Sequence, residues 1–233
     1  MRGRLRWPGL RRIGRWLVRL AAGFALLSVA WVLLYAVVPP PGTPLMLIRA
    51  LGGAGIDRDW VPLGAVAPDV FRAVIAAEDT SFCTHYGFDW DSLRAAWKRS
   101  QSNSGRLRGG STITQQTAKN LFLWPDRTIV RKAFEAWYTV LLELFLGKPR
   151  ILLLYVNDVE WASGVYGIEA AARHHFRKPA ASLTRHEAAL LAAVLPSPRR
   201  WSPTRPTAFV QRRAAVIEER MRVAPGRPGD PCG

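Results

Sequence analysis

Hydrophobic and polar positions along the chain fall into two regimes. No residue from 20 to 38 is charged. As a helix rising about 1.5 Å per residue, this run is roughly 28 Å long, close to the hydrocarbon thickness of a bilayer. Trp16, Trp31 and Tyr35 lie towards its ends, where amphipathic rings favour the interface. Beyond it the pattern becomes a series of shorter amphipathic segments. Positions 70–77, 89–98, 130–146, 150–156, 168–175, 184–195 and 206–223 repeat apolar residues at helical rather than alternating intervals. Few stretches alternate as strands, and no internal repeat is present. The pattern predicts a mainly α domain preceded by one transmembrane helix.

Charge orients this plan. The net charge is +16, and Arg2, Arg4, Arg6, Arg11, Arg12, Arg15 and Arg19 stand in the first nineteen residues without an acid. Arginines in front of the apolar run predict a cytoplasmic N-terminus, with everything after Pro39 on the other side. A cleaved signal would need a shorter apolar core and a small-x-small cleavage site, which Tyr35 to Pro41 does not offer. The expected organisation is a basic cytoplasmic segment (1–19), a membrane helix (20–38), a proline-rich linker (39–59), the domain (60–223) and a flexible tail (224–233). The remainder of the chain is still basic, which suits an anionic partner. Outward topology argues against nucleic acid and favours a membrane surface or a phosphorylated substrate. Cys83 and Cys232 are too few for a disulfide framework, and Cys232 stands in a Pro/Gly-rich tail. Both are read as free thiols.

Candidate chemistry concentrates in a few places. Gly109-Gly110-Ser111-Thr112 leads into a polar helix start in which Thr112 and Gln115 have the spacing of a capping box. Such a start offers backbone N–H groups and a positive helix end to an anion. Thr112, Gln116 and Lys119 recur at i, i+4 and i+7 on one face. Residues 100–105 read as a flexible polar loop ahead of this element. Glu78 and Asp79 follow an apolar helix directly, and partial burial there would raise a carboxyl towards the range of a general base. Arg131 and Glu135 sit at i, i+4, the spacing of a surface ion pair. Leu121, Phe122, Leu123 and Trp124 form an apolar run before a turn, expected to dip into the outer leaflet. His186-Glu187 begins like a zinc-protease helix but lacks the second histidine at position 190, and no Ser-x-x-Lys occurs anywhere.

Four ordered motifs are more specific than any of these features alone. They are Glu78-Asp79-x-x-Phe82-x-x-His85-x-Gly87, Gly109-Gly110-Ser111-Thr112-Ile113-Thr114-Gln115-Gln116-x-x-Lys119-Asn120, Arg131-Lys132-x-x-Glu135, and Lys148-x-x-Ile151-Leu152-x-x-Tyr155-x-Asn157. Together they resemble the peptidoglycan glycosyltransferases of glycosyltransferase family 51, over roughly residues 60–223. The chain ends where class A penicillin-binding proteins continue into a transpeptidase, so the resemblance implies a monofunctional member.

The resemblance further implies a lysozyme-like α fold and an inverting transfer that polymerises lipid II, with release of undecaprenyl pyrophosphate. By the motifs, Glu78 corresponds to the base that takes the acceptor hydroxyl proton, and Glu135 is the second acid. Lys119, Arg131 and Lys132 would neutralise the leaving pyrophosphate. Asp79, Phe82, His85, Thr112, Gln116, Tyr155 and Asn157 would shape the site or contact substrate. No covalent cofactor is implied, and a divalent cation such as Mg²⁺ would assist. The expected partners are lipid II, the growing glycan strand, the inner membrane and other cell-wall synthesis or division proteins. The family's fourth motif commonly has an acid after Ile-Leu, where this chain has Leu153. A lysozyme-like hydrolase and a catalytically inert glycan-binding scaffold are the competing readings. The first would need a general acid for its sugar leaving group, and the second would tolerate loss of Glu78 or Glu135.

Overall fold

The computed structural model describes residues 8–102, 110–223 and 230–233. Arg2, Arg4 and Arg6, Gly109 and most of the expected tail lie outside these residues. The chain divides into two compact units, Met1–Val38 and Pro39–Gly233. The first is one helix, α1 (Pro8–Val37). Its Arg12–Val37 portion is long and apolar enough to cross a membrane. Ser28, a polar residue within that portion, donates its hydroxyl to the Phe24 carbonyl at 2.7 Å, which satisfies it inside the helix.

The second unit starts earlier than the sequence pattern suggests. Residues 39–59 are folded rather than a free linker. Thr43 caps α2 (Pro44–Leu51) by accepting from Met46 N–H, with Pro44 in the first turn. Asp57–Arg58 forms β1. Arg58 then donates 2.8 Å bonds to the Pro40 carbonyl and to Asp158. This strand was invisible to local pattern because its partner is remote. It pairs in parallel with β3 (Val165–Tyr166), which also pairs antiparallel with β2 (Glu160–Ala162). Gly164 reaches the pairing with φ +76, and a Cβ there would stand 2.6 Å from the Gly55 carbonyl oxygen. Only glycine fits that approach.

The rest is helical: α3 (Pro68–Glu78), α4 (Trp90–Ser102), α5 (Ile113–Phe122), α6 (Ile129–Phe145), α7 (Lys148–Asp158), α8 (Ile168–Phe176), α9 (Arg185–Val194) and α10 (Ala208–Met221). α7 runs through the core, with every residue from Ile151 to Asp158 buried. Helices α5, α6 and α8 pack against it, while α3, α9 and α10 form a second packed group. Leu153 belongs to the buried run of α7, so the position that commonly carries an acid is filled by core packing.

Three further expectations are corrected. Residues 100–102, read as loop, continue α4. The apolar run before Pro125 is core rather than a membrane tip: Leu121, Phe122 and Leu123 are buried, and only Trp124 is exposed, at 41%. Phe122 stacks on Tyr138 with ring centres 4.2 Å apart, which accounts for burial at the end of α5.

The third correction concerns the cysteines. Cys83 and Cys232 are joined in a disulfide, with Cα atoms 5.5 Å apart. Folding brings together residues 149 positions apart in sequence, a proximity that spacing alone could not reveal. The link ties the last residues of the chain to the turn after α3. Closing so long a loop restricts the unfolded chain strongly. Cys232→Ser is expected to lower the unfolding free energy by about 2–4 kcal/mol, measured by urea denaturation. Reductant should lower the wild type similarly and leave the variant unchanged.

Candidate active site

Helix α3 places Glu78 at its last residue. Its apolar positions, including Val70, Phe71, Val74 and Ile75, are buried, and Asp79 leaves helical geometry with φ −162° and ψ 80°. The Asp79 carboxylate accepts from the Ile113 N–H at 2.9 Å and lies 3.0 Å from His85 Nε2. Asp79 therefore occupies the N-terminus of α5, the place the sequence suggested for a ligand's anion. Thr112 is equally committed. Its hydroxyl donates to the Gly87 carbonyl at 2.7 Å and accepts from Gln115 N–H, while the Gln115 side chain accepts from Thr112 N–H. The capping box is present, and it turns Thr112 inward, away from the expected shared face with Gln116 and Lys119.

Phe82 and His85 complete this scaffold. Phe82 is fully buried. Lys148 Nζ lies 4.6 Å over its ring, donating to the His85 carbonyl and to Glu143 Oε1, both at 2.7 Å. Thr114 donates to the same Glu143 oxygen at 2.6 Å. Asp79, Phe82, His85 and Thr112 thus belong to one packed frame joining the end of α3 to the start of α5. Asn157 is a further correction to the expected substrate contacts. Its amide accepts from Val61 N–H and donates to the Val61 and Leu153 carbonyls at 3.0–3.1 Å. With both ends saturated and the residue buried, it is a clamp on the chain entering the domain.

Gln116 and Tyr155 bear directly on Glu78. Gln116 Nε2 donates to Glu78 Oε2 at 3.0 Å, and Gln116 Oε1 accepts from the Tyr155 hydroxyl at 3.2 Å. The phenol sets which end of the amide faces the carboxylate. Burial, reinforced by the Glu78 and Asp79 charges, holds Tyr155 well above its ordinary pKa, so it remains a donor. Burial also raises Glu78 above its ordinary value, against the opposing effects of the Gln116 hydrogen bond and the Arg213 and Lys119 charges. A partly desolvated carboxylate of this kind is a stronger base than one in water.

One turn along α5, Lys119 faces a cleft of about 430 Å³. Gln116 and Lys119 are three residues apart, a rise of roughly 4.5 Å, so the amide on Glu78 and the cation of the cleft share one helix face. Arg131, Lys132 and Glu135 line the same cleft from α6, with Arg49 from α2 and Arg127 from the intervening turn. Arg131 and Lys132 each pair with a different oxygen of Glu135. Spacing suggested a surface bridge, but Arg131 is 8% exposed and Glu135 3%. Arg131 Nε is buried without a hydrogen-bond partner. Burial lowers the Lys119 pKa, assisted by Arg131 and Lys132 and opposed by Glu135 and Glu78. Among the described residues Lys119 has no ion-pair partner of its own. The cleft is thus an excess of cations over two acids, the neutralised Glu135 and the exposed Asp126, and is suited to a multiply charged anion. Among the described residues, no three His, Cys, Asp or Glu side chains cluster as metal ligands do. With Asp79 and Glu135 already engaged, the site does not fit a cation held in a protein cage.

Residues 46–222 match the family model described as "Transglycosylase". The chain belongs to the transglycosylase family. A curated relative from Rhodospirillum centenum, named "Biosynthetic peptidoglycan transglycosylase", is 56% identical over 213 residues, covering 91% of this chain and 92% of that protein. Proteins of the same name from Caulobacter vibrioides and Pseudomonas syringae pv. syringae are 51% and 48% identical. They cover 81% and 91% of this chain, and 82% and 91% of their own lengths. The match begins within α2, in agreement with the folded segment that sequence pattern assigned to a linker.

Arg49, Arg127 and Arg213 were not singled out in the sequence. Arg49 lay in the supposed linker, and Arg127 in a turn read only for its Pro-Asp signal. Arg213, in α10, stands 3.5 Å from Glu78 Oε1, a proximity across 135 residues with no local signature. The buried cluster of this transglycosylase separates structural from ligand-seeking cations. Arg131→Ala leaves Glu135 buried with one partner and should lower unfolding free energy by about 3 kcal/mol. Lys119→Met removes a desolvated charge flanked by other cations and should change it by less than about 0.5 kcal/mol. Chemical denaturation of the two variants checks both values.

Proposed function

We propose that this chain polymerises lipid II into the glycan strands of the cell wall, with Glu78 as the base. The observation that carries the assignment of roles is the contrast between the two acids. Glu135 has both oxygens held by cations, whereas Glu78 is raised by burial and keeps Oε1 without a close hydrogen bond. Glu78 takes the proton from the 4-hydroxyl of the acceptor GlcNAc. The oxygen attacks C1 of the donor MurNAc from the face opposite the leaving group. A β-1,4 bond forms as the C1–O bond to undecaprenyl pyrophosphate breaks.

The leaving pyrophosphate needs no proton, so the remaining catalytic work is to stabilise its charge. Lys119, Arg131, Lys132, Arg49 and Arg127 supply that field. Glu135 keeps the cations of α6 in place between turnovers. Tyr155 acts through Gln116, which orients Glu78. A divalent cation such as Mg²⁺ would be held mainly by pyrophosphate oxygens and water, since the acids of the cleft are already engaged. The cation-rich cleft favours this reading over a glycan hydrolase, whose sugar leaving group carries no pyrophosphate.

The same reading places the protein at the inner membrane, with α1 as its single span, a cytoplasmic N-terminus and the domain on the periplasmic side. Support comes from the apolar length of α1 and from exposed faces that adjoin the cleft. Leu47, Ile48 and Leu51 are exposed on α2; Val130, Trp137, Val140 and Leu144 are exposed along one side of α6. Both helices also contribute to the cleft. A lipid tail leaving the cleft would therefore meet apolar surface.

Purified full-length protein incubated with fluorescent lipid II should yield long products that muramidase degrades. Glu78→Gln should abolish them, because the amide keeps the shape and cannot accept the proton. The raised carboxyl also fixes the sign of the stability effect. Its proton is bound more tightly in the folded state, so the stabilisation present at low pH is lost as pH rises through the folded pKa. Glu78→Gln should accordingly be at least as stable as wild type at pH 7, by thermal melting. Lys119→Met should lower turnover roughly ten- to a hundredfold by removing a charge-assisted contact. Detection of muramidase-sensitive polymer from Glu78→Gln at wild-type rates would overturn the choice of base. In the unit from residue 39 onward, replacing Trp137 and Leu144 by Ser should weaken sedimentation with anionic lipid vesicles.

A further inference from the structure

The described motifs surround Glu78 from α5 and α7, yet a positive charge 3.5 Å from its Oε1 comes from a helix outside all of them. α10 docks through Val210, Ala214, Ile217 and Met221, which are buried and recur at helical spacing. Arg213 and Arg220, seven residues apart, lie on the flank that faces the end of α3. Arg220 Nη1 donates to the Ala76 carbonyl at 3.4 Å. Arg213 Nη2 lies 3.5 Å from the Ala77 carbonyl and 3.5 Å from Glu78 Oε1.

The last carbonyls of a helix lack intrahelical partners, and cations there are favoured by the dipole. Capping of that kind accounts for the contact of Arg220 with the Ala76 carbonyl. It does not account for Arg213, whose guanidinium passes the cap and reaches the carboxylate of the base. At 3.5 Å the guanidinium supplies charge without a tight hydrogen bond, so Oε1 can still accept from another donor. Gln116, at 3.0 Å, holds Oε2. The two oxygens thus have different tasks, one anchored and one available.

We propose that Arg213 is a positioning residue for the base. From α10 it places positive charge against Glu78 Oε1 and keeps the carboxylate ionised, while Gln116 on Oε2 leaves Oε1 to receive the hydroxyl proton. The inference rests on Glu78 being the base. After each transfer the same charge favours release of the proton from Glu78 to solvent and restores the carboxylate. The other charged or titratable groups around Glu78 are Lys119 from α5, Asp79 beside it, Tyr155 from α7, and Arg220 and Asp89, which line the same pocket. Lys119 also draws Glu78 down, and Asp79 opposes it. Lys119 faces the anion cleft, so its influence changes when pyrophosphate binds. Arg213 is not among the residues lining that cleft.

The test is the pH dependence of kcat/KM for lipid II polymerisation by the full-length protein in detergent. Below the acidic limb, protonated Glu78 cannot act. Removing a nearby cation raises the carboxyl pKa, so the limb should move to higher pH. Arg213→Gln, which keeps a donor for the Ala77 carbonyl but loses the charge, should shift it up by about one unit. At a pH below both limbs, kcat/KM should fall roughly tenfold. Arg213→Lys should bring the limb back towards the wild-type position. Arg220→Gln removes a cation that shares the pocket but makes no ion pair with Glu78, and should move the limb by much less than Arg213→Gln. Should Arg213→Gln fail to fold, Arg213→Met tests the same loss of charge. The proposal falls if the limb of a folded, charge-free variant coincides with wild type, or if Arg220→Gln moves it as far. The two readings separate cleanly: activity retained in Glu78→Gln removes the base assignment, whereas an inactive Glu78→Gln with an unmoved limb in Arg213→Gln removes only the role of Arg213.

Discussion

The Asp79 carboxylate ties the end of one helix to the beginning of another, and the placement of the site follows from that tie. α3 delivers Glu78 as its final residue, and α5 begins where Asp79 accepts the Ile113 N–H at 2.9 Å. Once these ends are joined, Gln116 falls beside Glu78 and Lys119 falls one turn further along the same face. The helix dipole of α5 is answered by a residue of the protein itself. His85 supports the second side of Asp79, and the turn carrying His85 is fastened by Lys148 and by the Cys83–Cys232 link. A shift of the tie would move the base, its orienting amide and the cation together.

The two acids of the site illustrate how environment separates identical side chains. Glu135 receives Arg131 and Lys132 directly and serves to organise cations that would otherwise repel one another. Glu78 is buried with lighter compensation: one amide hydrogen bond and charges held at a greater distance. Its remaining basicity is a consequence of incomplete neutralisation. The same incompleteness works against stability, which places function and folding in opposition at a single carboxylate. In the cleft, Lys119 is desolvated with no ion-pair partner among the described residues, and Arg131 keeps an unpaired Nε. Groups left unsatisfied in this way gain most when an anion arrives.

Several motif residues act on the frame rather than on a ligand. Asn157 joins the end of α7 to Val61, Thr112 joins α5 to Gly87, and Phe82 lies beneath Lys148. Leu153 fits this pattern: α7 is buried along its second half, and a leucine there contributes packing. Motif membership therefore marks positions where the frame must hold its shape as well as positions that meet substrate.

The linear chain determined what depends on neighbours within a few residues. Helical periodicity placed α3, α4 and α6–α10 near their observed ranges, the capping box at Thr112 and Gln115 marked the start of α5 as a local hydrogen-bond pattern, and the uncharged run after Arg19 announced α1. Ordered motifs brought Glu78, Gln116, Lys119 and Arg131 into consideration together. Tertiary structure decided what depends on distant partners. β1 exists only because Asp57 and Arg58 meet Val165 and Tyr166; the apolar run from Leu121 is buried because Tyr138 and α7 cover it; the cysteines meet across 149 residues. Arg213 reaches Glu78 from a helix whose sequence reads as an ordinary amphipathic surface. Periodicity reports which face of an element is apolar, because that follows from backbone geometry repeated along the chain. Which polar group on the flank of that face meets which other is set by how the helices pack, and packing is a property of the assembled core.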